Sequence, residues 1–396
     1  MIGIELPVID VTDPAVLLDP FAAYREARER APLARLAIPG MGEMWAVTRH
    51  AEARAMLTDA RFAPNSGSYL TPPGVPEDCR AYLRTMQEKD GPEHARLRGL
   101  VAPAFTARRA LAFRPKMTRI VENLLDALPA AGPVDLVADF AKPLPMDVIC
   151  ELVGVPAADR PQWREYGALV ADGSGRGFAE AIPGIVNDAR ALVASRRAEP
   201  ADDLVSELIE AQAEDGDRLS DVELVTLVWH LVLAGQTPAN LIANGVAALF
   251  AHPEQLAALR ADEGLAAGAV DELMRWCGPQ LLTTPRFTAG DVEFGGTVIP
   301  GGTPVTAAIV SANRDPRVFA DPDRLEITRR GAGAHLGFAH GPHFCLAAAL
   351  ARVETEVALT GLFRRFPRLA PAVPVGDLRR TPDPGTWRLG ELPVTR

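Results

Sequence analysis

The chain has 396 residues, of which 48% are hydrophobic and 23% charged, as is usual for a soluble globular protein. The 41 basic and 51 acidic residues give a formal net charge of −10, which argues against a bulk attraction to nucleic acid. Four cysteines are too few for a disulfide scaffold, and we expect them to be reduced, as in a cytoplasmic protein.

No membrane attachment is expected. The first residues, MIGIELPVIDVTDP, lack the basic start and apolar core of a signal peptide. No run of about 18 apolar residues occurs, so a membrane-spanning helix is not predicted. Because no repeat, linker or shift in composition marks a boundary, we expect a single domain over residues 1–396.

The first half of the chain predicts helices with few strands. Residues 43–49 have the pattern of a short strand, and residues 61–91 are rich in glycine and proline, which predicts a long functional loop. Residues 93–128 predict two helices interrupted around 105–115. Further helical segments follow, broken at Pro156, at the glycine run 173–177 and at Pro200.

A buried helix is predicted to begin after Ser220, which forms a capping box with Glu223, and to run to about Phe250. Residues 224–234 are apolar on nearly every face, which is typical of a helix in the middle of a large fold.

This helix contains a proline. Pro238 has no N–H to donate and its ring clashes with the carbonyl of Ala234, while Gly235 loosens the same turn. The sequence therefore predicts a kink or an opened groove at 234–238.

The last third predicts a helix over about 265–276, an irregular stretch over 311–337 and a final helix from about Cys345 to Phe363. Short strands are predicted before the irregular stretch, at 286–287, 291–294, 297–299 and 304–309. Since helices dominate and do not alternate regularly with strands, we expect a mainly α (α+β) fold and exclude a doubly wound sheet.

The most informative residue is Cys345, which follows the turn Gly341-Pro342 and stands at the entry to the helical run LAAALAR. Helix-terminal amides would stabilise a thiolate there, and a thiolate is a soft ligand for iron or another metal. For an isolated cysteine, an inert buried thiol is the more usual interpretation. A structural zinc site is not supported, because no second cysteine or histidine pair lies at zinc spacing.

The segment F-x-x-G-x-H-x-C, from Phe338 to Cys345, resembles the haem-binding loop of the cytochrome P-450 family. The resemblance follows the whole chain in order, and is greatest to the soluble bacterial monooxygenases. It implies a haem b between the long central helix and the cysteine-loop helix, with Cys345 as the axial thiolate that promotes O–O cleavage. Ala347 stands where the family usually has glycine.

The resemblance also implies roles for residues elsewhere. Glu272, Arg275 and Arg324 match the E-x-x-R and P-x-R-F motifs of a structural network, although Leu325 replaces the phenylalanine. The implied haem contacts are His94, Arg98, Arg286, His343, Phe338 and Gly341. Four of these would be hydrogen-bond donors to the two propionates, as burial of a dianionic cofactor requires.

In the predicted groove the family usually reads A-G-x-[DE]-T, and the corresponding catalytic residues here are Ala234, Gly235, Gln236 and Thr237. Alignment from the upstream side places Thr237 at the acid and Pro238 at the alcohol. Alignment from the downstream side, which we favour, places Gln236 at the acid and Thr237 at the alcohol. Neither alignment provides a carboxylate, so proton delivery would depend on Thr237, ordered water or a substrate hydroxyl.

The implied activity is insertion of an oxygen atom from O2 into a hydrophobic small molecule, in secondary metabolism. Oxidative coupling, desaturation, a peroxide-driven reaction and a haem sensor without turnover are the alternatives. Leu281, Leu282, Thr283 and Thr284 are the predicted substrate contacts. Electrons would come from a ferredoxin and its reductase, because the chain lacks a glycine-rich nucleotide motif. The arginines proposed to dock the ferredoxin are Arg108, Arg109, Arg352, Arg364 and Arg365.

Overall fold

The computed structural model describes residues 5–38, 42–64, 73–130, 132–171, 175–214 and 219–396. The α-helices, in chain order, are α1 (Pro14–Leu18), α2 (Pro20–Arg30), α3 (His50–Thr58), α4 (Gly91–Val101), α5 (Ala107–Ala127), α6 (Pro143–Val153), α7 (Arg160–Ala171), α8 (Arg176–Ala198), α9 (Leu204–Glu214), α10 (Asp221–Ala234), α11 (Pro238–Ala251), α12 (Pro253–Ala261), α13 (Ala266–Cys277), α14 (Ile309–Ala312) and α15 (Ala348–Arg365). Helix is the dominant structure, so the predicted mainly α fold is confirmed.

The strands are short: β1 (Val8–Asp10), β2 (Leu33–Ile38), β3 (Gly42–Val47), β4 (Phe62–Ala63), β5 (Val134–Asp135), β6 (Arg286–Thr288), β7 (Val292–Phe294), β8 (Thr297–Ile299), β9 (Pro304–Ala307), β10 (Ala370–Pro371) and β11 (Pro393–Thr395). They form a six-stranded sheet in the order β1-β2-β3-β9-β6-β4, a three-stranded sheet β10-β11-β5 and the hairpin β7-β8. In the largest sheet Arg286 pairs with Val305, which fixes the segment that carries the predicted substrate contacts.

The centre of the molecule is the pair α10 and α11. Helix α10 contacts α6, α7, α8 and α9, which explains why its sequence is apolar on nearly all faces. Helix α15 packs against α5, α11 and α13, so the helix that follows Cys345 lies against the same central layer. The two central helices and the cysteine segment therefore meet in the core.

The predicted start and break of the central helix are confirmed. The Ser220 hydroxyl accepts from the amide of Glu223, whose carboxylate accepts from the Ser220 amide. Helix α10 ends at Ala234, and α11 begins at Pro238 after a three-residue turn. A continuous helix to Phe250 is therefore wrong, because Pro238 provides no N–H to continue the ladder.

Other boundaries differ from the prediction. Pro115 lies inside α5, so the interruption is limited to the short 3₁₀ turn at Ala102–Phe105. The last helix begins at Ala348, three residues after Cys345. Parts of the predicted loop 61–91 and of the glycine run 173–177, namely 65–72 and 173–174, lie outside the described residues. Among the residues that are described, no helix is long and apolar enough to cross a membrane.

Candidate functional site

A cavity of about 590 Å³ lies between the α10–α11 break and the cysteine segment. This volume is within the usual range for small-molecule and cofactor sites. Most of the predicted site residues line it: His94, Arg98, Ala234, Gly235, Gln236, Thr237, Leu282, Thr283, Thr284, Arg286, Phe338, His343 and Cys345. The structure therefore brings together residues that are up to 251 positions apart in the sequence.

Cys345 is held at the cavity wall by backbone hydrogen bonds. Its amide donates to the carbonyl of Phe338 at 2.8 Å, and its sulfur accepts from the amide of Ala347. Burial raises the pKa of the Cys345 thiol, although the Ala347 amide and the charges of Arg98 and Arg352 act in the opposite direction. The predicted contribution of a backbone amide is present at Ala347, but desolvation of the thiol outweighs it.

The turn before Cys345 requires a glycine. Gly341 has φ +76°, and a Cβ added there would lie 2.7 Å from the carbonyl oxygen of Leu57. Gly341 is not among the residues that line the cavity, and its contact with a cofactor stays a prediction. This glycine allows the loop to approach α3 closely. Phe338 does line the cavity, with the Arg352 guanidinium 4.5 Å from the centre of its ring.

Two histidines face each other at one side of the cavity. The rings of His94 and His343 stack with centroids 4.1 Å apart, and His343 Nε2 lies 3.3 Å from Asp90 Oδ1. Desolvation lowers the pKa of His94 to about 4, and the neighbouring His343 and Arg98 add to the shift. Protonation of His94 is therefore disfavoured unless an anion binds next to it.

Two arginines complete this side. Arg98 Nη2 donates to the carbonyl of Phe344 at 2.7 Å, which ties α4 to the cysteine loop. Arg286 Nη1 donates to the carbonyl of Leu57 at 2.8 Å, and the side chain is buried. Since both side chains also line the cavity, four cationic or hydrogen-bonding groups surround one region suited to carboxylates.

A porphyrin fits this donor set. Within the described part of the chain, no group of three or more His, Cys, Asp or Glu side chains is placed to hold a metal ion. A metal at Cys345 must therefore bring its other ligands with it. An iron porphyrin supplies four nitrogens for the metal and two carboxylates for the four donors, and one soft sulfur ligand remains for the protein to provide.

The break between α10 and α11 is stabilised by the side chain of Thr237. Its Oγ1 donates to the carbonyl of Ala234 at 3.0 Å, which is the acceptor that Pro238 leaves without its usual partner. A Cβ at Gly235 would lie 2.6 Å from side-chain atoms of Ile149, so packing requires glycine here. The opened turn thus exposes Ala234 and Thr237 to the cavity.

Gln236, which the favoured alignment places at the family's acid, is turned towards α7. A Cβ added at Gly167 would lie 2.7 Å from Gln236 Oε1, so the amide packs closely against that helix. Its side chain is not an acid, and it offers no ionisable proton to the cavity.

One carboxyl group at the cavity was missed by the sequence analysis. Glu354 on α15 is 2% exposed, lines the cavity and has no hydrogen-bond partner for Oε1 within the described residues. Burial raises the pKa of this carboxyl well above its usual range, which favours its protonated form. The available signal was a carboxylate on the buried face of an apolar helix, which is rarely tolerated without a partner or a function.

The ion pair predicted from the E-x-x-R motif is present and buried, but the third side chain of the network is not the predicted one. Arg275 donates to Glu272 through Nε at 2.7 Å and Nη2 at 2.8 Å, and both side chains are fully buried. Arg329 Nε donates to Glu272 Oε1 at 3.1 Å. Arg324, the predicted third member, is exposed and contributes only its backbone carbonyl, which accepts from Arg275 Nη2 at 3.2 Å. The turn formed by this segment points its side chain outward.

Three of the four predicted substrate contacts lie at the cavity. Leu282, Thr283 and Thr284 line the cavity, whereas Leu281 is buried in a separate apolar cluster that includes Trp387. The Leu281 amide donates to the carbonyl of Gly385 at 2.9 Å, which directs this residue away from the cavity. Leu281 is therefore a core residue and not part of the cavity lining.

The arginines proposed for a docking surface are largely neutralised. Four of them form ion pairs: Arg109 with Glu207, Arg352 with Asp271, Arg364 with Glu263 and Arg365 with Asp126. Because each positive charge has a nearby carboxylate, these residues provide little net attraction for an acidic partner.

Comparison with known proteins agrees with this geometry. The family profile described as Cytochrome P-450 matches residues 176–381. The cytochrome P-450 monooxygenase PikC of Streptomyces venezuelae is 42% identical, with 95% of this chain and 91% of that protein covered. The 6-deoxyerythronolide B hydroxylase of Saccharopolyspora erythraea is 41% identical, with 94% of each covered.

A solved structure is also similar over nearly the whole chain. It is that of the cytochrome P-450 enzyme CxnD for C–S bond formation in chuangxinmycin biosynthesis, with a TM-score of 0.88 and 32% identity. The alignment covers 99% of this chain and 97% of that one.

Proposed function

The chain belongs to the cytochrome P-450 family of haem-thiolate monooxygenases, and from this premise we propose that it oxidises a hydrophobic small molecule of secondary metabolism. The observation that carries the proposal is that one cavity holds the thiol of Cys345, four donors for carboxylates and the opened turn of the central helix. A haem bound there supplies the activation of O2. The surrounding lining is mostly apolar, which suits a hydrophobic substrate.

The protein's own residues would have three tasks. Cys345 would ligate the iron, while His94, Arg98, Arg286 and His343 would hold the propionates by charge-assisted hydrogen bonds. The turn 235–237 would provide room for a small molecule beside the central helix. The enclosed apolar walls would keep bulk water away from the reacting atoms.

Proton delivery would use Thr237 and Glu354. Thr237 Oγ1 gives its own proton to the Ala234 carbonyl, so its lone pairs can accept and orient a donor in the cavity. Glu354 lies on the cavity wall, where burial favours its protonated form, and it is the single carboxyl group among the described lining residues. It therefore takes the place of the acid that the turn lacks.

Glu354→Gln and Thr237→Ala are expected to reduce coupling, the ratio of product formed to NADPH consumed, by about tenfold each. Glutamine matches the volume and neutrality of the protonated acid, so the folded state of Glu354→Gln should be preserved. Thermal unfolding of both variants is the control. Coupling equal to that of the wild type would remove the affected residue from the proton path.

The proposed activity is tested by isotope labelling. Compounds are first screened for a shift in the haem spin state, beginning with 6-deoxyerythronolide B, which is named in one relative. The compound that binds is then turned over under ¹⁸O2 with a surrogate ferredoxin and its reductase. A product that carries one ¹⁸O atom is expected. A product without the label would exclude monooxygenation of that compound.

A ferredoxin and its reductase are the proposed electron donors, and the cytoplasm is the proposed location. The sequence has no glycine-rich strand–turn–helix unit for a flavin or nicotinamide of its own, so electrons must come from another protein. All four cysteines are free thiols, which suits a reducing compartment.

Oxidative coupling is the second candidate function. It is favoured by the absence of a carboxylate at residues 234–238, which would weaken ordinary proton delivery. The solved structure of CxnD, the enzyme for C–S bond formation, has the same fold over nearly the whole chain. In the labelling experiment, coupling would consume O2 and give a cyclised or cross-linked product that contains no ¹⁸O.

A further inference from the structure

His230 lies on α10 one helical turn before Ala234, and both residues line the cavity. Positions i and i+4 share a helix face, with a rise of about 6 Å between them. The imidazole is thus on the wall that faces a ligand, one turn from the opened groove. It is one of the polar interruptions in a segment that is otherwise apolar.

The imidazole has no hydrogen-bond partner in the part of the chain that the structure describes. Its Nδ1 is buried without a partner, and neither ring nitrogen bonds to any residue that the structure describes. The polar groups of the adjacent turn are already used, since Thr226 Oγ1 and Trp229 Nε1 both donate to the carbonyl of Tyr82, at 3.3 and 3.2 Å. His230 is therefore the polar group that α10 leaves available to a ligand.

Burial also fixes the protonation of the ring. Desolvation lowers the pKa of His230 to about 4, so the ring is neutral at physiological pH. A buried N–H without an acceptor is rarer and costlier than a buried acceptor without a donor. The proton therefore belongs on Nε2, and the ring offers a hydrogen-bond donor to the cavity.

The charges around the cavity restrict the acceptor. Among the described lining residues, the arginines are Arg98 and Arg286, and both lie with the donors assigned to the propionates. No lysine or arginine is close to His230 in that lining, so a carboxylate would bind there without a counter-charge. A neutral carbonyl or ether oxygen is the acceptor that this environment favours.

We propose that His230 is a specificity-determining residue, whose Nε2–H donates to a carbonyl or ether oxygen of an uncharged, otherwise apolar substrate. The contact holds that oxygen about one helical turn from the groove, and so selects which carbon of the substrate is presented for oxidation. This inference rests on the proposed function, and it adds the chemical group by which the substrate is recognised.

The test compares two probes that differ in one acceptor, cyclododecanone and cyclododecane, by titration of the spin-state shift in the haem-loaded protein. The wild type is expected to bind the ketone about tenfold more tightly, as one buried hydrogen bond allows. His230→Phe should abolish this preference, and His230→Gln, which keeps an N–H donor, should restore part of it. Phe178→Leu changes the apolar lining of the cavity, and it should weaken the binding of both probes to the same extent.

A wild type without preference for the ketone, or an unchanged preference in His230→Phe, would overturn the proposal. A second measurement determines the tautomer of the His230 imidazole in the wild-type protein. Nitrogen-15 NMR of the haem-loaded protein, in its diamagnetic reduced carbon monoxide form, should show a neutral His230 protonated on Nε2, and protonation on Nδ1 would contradict it. Failure of the proposed function is distinguishable, because the reduced protein would then give no thiolate-type carbon monoxide spectrum in any variant.

Discussion

Replacement of Cys345 by serine is expected to lower turnover by about 10³-fold or more while the fold persists. The sulfur is the single soft, anionic ligand that the described cavity lining can offer to iron, and a hydroxyl does not reproduce its electron donation. An increase of about 4 kcal/mol in the activation free energy of the rate-limiting step corresponds to this factor. Product formation per bound haem is the measurement.

The control for this variant is a cysteine elsewhere. Cys79 is buried outside the cavity lining, so Cys79→Ala should retain most of the activity. Thermal unfolding and haem content of Cys345→Ser should be recorded beside its turnover. Wild-type activity in Cys345→Ser would contradict the assignment of the axial ligand.

Glu272→Ala is expected to lower the free energy of unfolding by about 3–5 kcal/mol, because it leaves the fully buried Arg275 without its counter-ion. Arg329 would lose the same partner, and the amide of Glu326 would lose an acceptor for its 3.0 Å hydrogen bond. The measurement is urea unfolding of the haem-loaded protein, followed by circular dichroism.

An exposed pair provides the matched control. Glu180 bonds to Arg176 with both side chains exposed, so Glu180→Ala should cost less than about 1 kcal/mol. The double variant Glu272→Met with Arg275→Met should recover part of the loss, since no charge remains buried. Equal losses for Glu272→Ala and Glu180→Ala would show that the buried network contributes little to stability.

Local chemistry was sufficient to predict the central helix. The capping box at Ser220 depends on residues three positions apart, and the break at Pro238 follows from one missing N–H, so neither requires knowledge of distant segments. The family resemblance was needed to predict that distant residues meet at one site, because sequence spacing alone does not place distant segments together. These residues are His94, Arg98, Arg286, His343 and Cys345.

The errors concern side-chain direction and burial. Arg324 and Arg329 are both plausible partners for Glu272, and only the path of the turn decides that Arg329 faces inward. Leu281 and Leu282 are adjacent, and the strand register decides which of them reaches the cavity. Glu354 interrupts an apolar helix, which is a sequence signal, but only tertiary packing leaves its Oε1 without a partner among the described residues.

X-ray absorption at the iron edge of the haem-loaded protein tests the central assignment most directly. One sulfur neighbour at about 2.3 Å, a usual metal–thiolate distance, is predicted for the wild type, and its loss is predicted in Cys345→Ser. An iron coordinated only by nitrogen and oxygen in the wild-type protein would contradict the account.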